Sequence, residues 1–94
     1  MVYMLVKHKV KDFSKWKPGF DEFGSKRKEK GSKGGMLFRT VEDPNDVTIL
    51  LEWDNPENAR KFSESKELKE KMEELGVIGK SDIFILDKIE DVPV

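Results

Sequence analysis

Apolar residues run almost unbroken from Val2 to Val6, and Lys7-His8-Lys9-Val10 then alternates, a pattern that predicts a β-strand over residues 2–10. Asp12 is a good helix N-cap for the next segment. There Phe13, Trp16, Phe20, Phe23 and Arg27 recur at spacings of three and four, one apolar stripe ending in a charge on a helix that reaches about Lys30. Pro18 cannot donate to the carbonyl of Ser14, so Pro18-Gly19 predicts a kink or a short first turn. Gly31-Ser32-Lys33-Gly34-Gly35 reads as a flexible connection.

Two strands follow, over roughly 35–42 and 47–53, hinged at Asp43-Pro44-Asn45-Asp46. If that four-residue loop closes the hairpin, Glu42 stands opposite Val47, Arg39 opposite Leu50 and Leu37 opposite Glu52. Arg39 and Glu52 are then diagonal neighbours on one face, among Leu37, Val41, Thr48 and Leu50. Phe38 and Trp53 fall on the other face, as core beneath the helices. An ionic pair on a mostly apolar sheet face is costly unless it is paired or used.

Asn55 caps a second helical region with Pro56 at its first position, and Ala59 and Phe62 point inward. Ser63-Glu64-Ser65 weakens it, a second piece resumes with Leu68, Met72 and Leu75, and Gly76 is the C′ residue. Residues 82–89 form the last strand. The order β-α-β-β-α-β predicts a single α+β domain over residues 1–94. Its fold is ferredoxin-like, a four-stranded antiparallel sheet with the helices on one face. A half-covered sheet should alternate apolar with polar residues, yet Val47-Thr48-Ile49-Leu50-Leu51 and Ile83-Phe84-Ile85-Leu86 offer apolar side chains to both faces. The economical cover for the second face is a second copy of the chain, so a homodimer is expected.

Composition narrows the function classes. Ninety-four residues leave no length for a second domain, and 18 basic against 19 acidic residues give a net charge of −1. That balance argues against nucleic acid or an acidic membrane as partner. With no cysteine there is no disulfide or thiolate chemistry, and with one histidine no dedicated metal site is expected. The N-terminal segment lacks the features of a secretory signal, and a cytoplasmic location is the expectation. Lys26-Arg27-Lys28-Glu29-Lys30 with Lys33 is a basic run without interleaved aromatic residues, and reads as a solvated helix end.

With that order and a face-to-face dimer in view, the chain resembles the dimeric α/β-barrel superfamily, above all the antibiotic-biosynthesis-monooxygenase and cyclase-like small proteins. The residues that carry the resemblance are His8-Lys9-Val10-Lys11-Asp12-Phe13 with Trp16 and Phe20-Asp21, then Arg39, Asp43-Pro44-Asn45, Glu52-Trp53 and the stretch Phe62, Ser65, Leu68. The resemblance implies a dimeric barrel whose enzymatic relatives oxidise polycyclic aromatics without a cofactor, degrade haem or isomerise small ring compounds. It does not select among them.

The candidate chemistry rests on few residues. His8 is in phase with Met4 and Val6 at the end of the first strand. It is either a general base or ligand hydrogen-bond donor, or a rim histidine satisfied by its neighbours. Arg39 and Glu52 either pair structurally or line a cavity, Arg39 positioning an anionic substrate and Glu52 orienting His8 or Arg39. Trp16 and Phe20 are core residues or aromatic walls of a pocket, which Leu37 and Leu50 would complete. The reading is a small-molecule-binding homodimer whose cavity is edged by His8, Arg39 and Glu52. It is either a cofactor-independent oxygenase acting on a small aromatic compound or a ligand-binding module without turnover.

Overall fold

The computed structural model describes residues 1–94. Its elements are β1 (Val2–Val10), α1 (Phe13–Glu22), α2 (Gly24–Lys30), β2 (Ser32–Arg39), β3 (Asp46–Trp53), α3 (Pro56–Ser63), α4 (Lys66–Glu74) and β4 (Val77–Asp87). The strands form one antiparallel sheet in the order β2-β3-β1-β4, and the helices lie on one face of it. This is the ferredoxin-like α+β fold expected, with each helical segment broken in two. No helix is long and apolar enough to cross a membrane.

The caps fall where the side chains dictate. Asp12 accepts from the N–H of Ser14 and Asn55 from that of Asn58, while Ser65 starts α4 by accepting from the N–H of Leu68. The first break lies elsewhere than expected. Pro18 sits inside an unbroken α1, and the chain turns at Phe23-Gly24 instead. Pro18 and Ser14 both lie on the exposed side of the helix, where solvent can satisfy the carbonyl that the proline leaves free.

Alternation along the strands separates two faces. Met4, Val6, His8 and Val10 of β1 and Val47, Ile49, Leu51 and Trp53 of β3 are buried toward the helices, against Trp16, Ala59 and Phe62. On the open face a single row of paired residues crosses all four strands: Met36, Leu50, Leu5 and Phe84. Phe84 and Met36 remain more than half exposed, and Phe38 and Leu86 nearly so. The apolar residues predicted on both faces are therefore present.

The hairpin register differs from the expectation by three residues. Arg39 pairs with Val47, Leu37 with Ile49 and Met36 with Leu50, and the N–H of Thr40 still bonds to the carbonyl of Asp46 at 2.9 Å. An odd shift turns every side chain of β2 to the opposite face. Arg39 and Leu37 thus face the helices with Trp53, while Phe38 shares the open face with Glu52 and Leu50. The cause is the loop. Two successive turns, Asp43 N–H to the Thr40 carbonyl and Asp46 N–H to the Asp43 carbonyl, place Val41 and Glu42 in solvent. Asp43 Oδ1 accepts from the N–H of Asn45, and the side chain of Asn45 accepts from the N–H of Phe13 at 2.8 Å. The carbonyl of Asn45 takes the N–H of Val10. The loop is thus tied to the junction of β1 and α1, and that anchor outweighs two further pairs at the end of the ladder.

The glycine-rich connection is also strand. β2 begins at Ser32, and a bulge at Gly34 (φ 90°) restores its pairing with Glu52 of β3. At Gly35 a Cβ would collide with the carbonyl oxygen of Leu50, so only glycine lets the two backbones approach this closely.

Candidate functional site

His8 is 5 % exposed and points into the space between sheet and helices. Opposite it β4 is irregular. Lys7 pairs with Asp82 and Lys9 with Ile78, so Gly79, Lys80 and Ser81 together stand across from one histidine. Gly79 adopts φ 70°, a conformation that L side chains disfavour. The bulge aims Ser81 at the imidazole, its Oγ 3.2 Å from Nδ1. The same hydroxyl reaches Sδ of Met72 on α4 at 3.5 Å. Ser81 Oγ accepts from the ring in the Nδ1–H tautomer and donates to it in the Nε2–H tautomer. In the Nδ1–H tautomer Nε2 is a bare acceptor.

Nε2 is buried with no hydrogen-bond partner, a condition it shares only with Nε1 of Trp53. His8 alone of the two borders a small apolar cavity of about 50 Å³, walled by Trp16, Phe20, Ile49, Leu51 and Phe62. Trp16 packs edge-on against the imidazole, ring centroids 5.8 Å apart, and Phe20 stacks on Trp16 at 4.8 Å. Burial pushes the histidine pKa below its ordinary value, which keeps the ring neutral. The chemical capacity is that of a desolvated base in an apolar chamber.

The other candidate residues disperse. Arg39 lies in the same cross-strand row as His8, two strands away with Val47 between them, roughly 10 Å by the strand spacing. Its guanidinium rests on the ring of Phe13, Cζ 4.4 Å from the centroid. Glu52 is on the open face beside Tyr3 and does not reach His8 or Arg39. The residue that orients His8 is Ser81. Trp16 and Phe20 wall the cavity; Leu37 borders a neighbouring cleft, and Leu50 a depression on the open face with Tyr3, Met36 and Leu86. Leu37 and Leu50 are thus on opposite sides of the sheet, contrary to the expected register.

Sequence reasoning missed Ser81, Met72 and Arg27. Gly79 inside a strand-like stretch was the available signal for a bulge beside Ser81. Met72 read only as one of the apolar residues of the second helical piece and Arg27 as part of a solvated run, although Arg27 stands at the end of the Phe13–Phe23 stripe.

No family model and no curated protein matches the chain. Solved structures do. One called an antibiotic biosynthesis monooxygenase superposes with a TM-score of 0.73 at 13% identity, covering 96% of this chain and 100% of its own. SnoaB from Streptomyces nogalater, a cofactor-independent oxygenase, gives 0.78 at 12% identity over 99% of this chain and 97% of its own. A conserved protein from Methanosarcina mazei Go1 gives 0.63 at 20% identity over 94% and 92%. The chain has the fold of the antibiotic biosynthesis monooxygenase structures over nearly its whole length.

Proposed function

We propose that this chain is a small-molecule-binding cytoplasmic homodimer that oxidises a small aromatic compound without a cofactor, with His8 as the base. One observation carries the reading: a buried neutral histidine whose Nδ1 is held by Ser81 and whose unpartnered Nε2 borders an apolar cavity. The shared fold with SnoaB supports it as analogy. Homodimer formation is supported by the apolar row Met36-Leu50-Leu5-Phe84, which the helices on the other face leave uncovered.

In this mechanism Nε2 removes a proton from an activated carbon of the substrate. The resulting carbanion supplies electrons to dioxygen and a C–O bond forms. From a methylene carbon, cleavage of the O–O bond with loss of water leaves a ketone, so that R₂CH₂ and O₂ give R₂C=O and H₂O. The apolar walls exclude water from the carbanion. A cavity of about 50 Å³ accommodates little more than water, so the substrate ring enters only when a wall moves. That small size is the observation behind the rival reading, a ligand-binding module without turnover.

The test is a screen of phenols, quinols and anthrones by thermal shift and oxygen consumption. A ligand at about 100 times its Kd should stabilise the fold by ~2.7 kcal/mol. For any compound turned over, His8→Ala should lower kcat by ~10²-fold or more with the fold retained. A normal rate in His8→Ala removes the catalytic role, and binding without oxygen uptake favours the module.

A further inference from the structure

Outside the His8 cavity a cleft of about 420 Å³ opens between α2 and the edge strand β2. Its cations are Arg27, Lys28 and Lys33, and none of the three makes an ion pair. The carboxylate whose field Arg27 feels is Asp21, which Lys17 already holds at 2.6 Å. The floor of the cleft is apolar, with Phe20, Leu37 and Leu51. Gly34 presents only backbone at the rim, and the space where a Cβ would stand is empty. Unpaired positive charge over an apolar floor fits an organic anion better than an inorganic one.

Cleft and cavity share a partition. Phe20, Arg27 and Leu51 line both. The guanidinium of Arg27 lies over Phe20, Cζ 3.9 Å from the ring centroid, and Nη1 donates to the carbonyl of Phe20 at 2.8 Å. Phe20 stacks on Trp16, and Trp16 abuts His8. A continuous series of contacts, stacked from Phe20 to Trp16 and edge-on from Trp16 to His8, therefore leads from the cationic cleft to the imidazole.

We propose that the cleft recognises the acidic group of a planar aromatic substrate, and that Arg27 with Phe20 forms the partition whose displacement admits the ring to His8. This rests on the oxidation reading for its last step only, because anion recognition in the cleft stands without turnover. The substrate class is an aromatic carboxylic acid or a comparably acidic aromatic. Arg27 gives up its face-on contact with Phe20 for a bidentate contact with the carboxylate.

The experiment is calorimetric titration of the full chain with 2-naphthoate and with its uncharged methyl ester. Naphthoate should bind at least ~10-fold more tightly than the ester. Arg27→Met keeps the apolar stem over Phe20. It should remove most of that preference while leaving the affinity for the ester unchanged, and Arg27→Lys should restore only part of it. Lys28→Ser/Lys33→Ser changes two exposed residues and should weaken naphthoate selectively even if Arg27→Met does not fold. Inorganic phosphate should compete poorly. No binding of naphthoate to the native chain, equal affinity for acid and ester, or full competition by phosphate at similar concentration would overturn the proposal. Naphthoate binding retained in His8→Ala, whatever that variant does to turnover, separates this outcome from that of the oxidation reading.

Discussion

Nδ1 of His8 lies 3.2 Å from the hydroxyl of Ser81, a residue 73 positions away in the chain. A bulge in β4 brings the two together, and the contact holds the imidazole at Nδ1. Ser81→Ala should therefore release the ring from that hold. The expected result is a fall in kcat of roughly 10-fold with KM little changed, and a displaced acid limb in the pH–rate profile. Ser81→Thr, which keeps the hydroxyl, should restore both. An unaltered pH profile in Ser81→Ala would reduce the serine to a packing role.

Stability should depend on pH through the same histidine. Burial holds the folded-state pKa of His8 below the ordinary 6.5, so the unfolded chain binds a proton that the folded chain refuses. The contribution is complete above 6.5 and is lost as pH falls toward the folded pKa, with a slope of at most ~1.4 kcal/mol per pH unit. Asp12 and Asp46 act in a lower window. Their pKa values are drawn below 3.8 first by the side-chain hydrogen bonds from Ser14 and Lys7, so their contributions fade only under stronger acid. Urea unfolding between pH 8 and 5.5 should show the His8 slope, and His8→Gln should flatten it. Equal slopes in the two proteins would mean that other groups are responsible.

The open face should make the chain dimeric. Light scattering at micromolar concentration should report about twice the chain mass, with ~1,500 Å² or more buried in total. Leu5→Glu places a charge at the centre of the row that runs from Met36 to Phe84, and should yield a folded monomer. A native protein that stays monomeric would leave the row without its expected cover.

Gly35→Ala should destabilise the fold by ~1–3 kcal/mol, because its methyl group meets the backbone of Leu50, which cannot rotate away as a side chain would. Denaturant midpoints measure this directly. An unchanged midpoint would show that β2 can move off β3 without cost.

Local chemistry made much of this fold legible. The even-numbered residues of β1 are core, and Asp12 and Asn55 cap the helices they precede, because each signal lies within a few residues of its effect. The hairpin register was not legible from its own residues. Val41 and Glu42 continue a strand-like pattern, and what excludes them from the ladder is Asn45 bonding to Val10 and Phe13, more than thirty positions away. The site was half legible for the same reason. A lone histidine in phase with core residues can be read from the chain, but its partner Ser81 depends on a bulge in another strand. Arg27 was hidden beside Lys28, Lys30 and Lys33, which carry the same charge but are exposed where it is half-buried.

The Asn45 anchor divides the hairpin loop into halves of unequal tolerance. Asn45 and Asp46 are bound to β1 and the start of α1, through the Val10 and Phe13 amides and the ammonium of Lys7. Val41, by contrast, is 96 % exposed, and neither its side chain nor that of Glu42 makes a hydrogen bond or ion pair. A short epitope or fluorophore-bearing peptide inserted between Val41 and Glu42 would lengthen a segment whose ends are already fixed, at the small entropic cost of a longer closed loop. The same peptide inserted after Asn45 would separate it from Asp46 and release β3 from its register. The loop thus offers one port for labelling the protein without disturbing the chamber around His8.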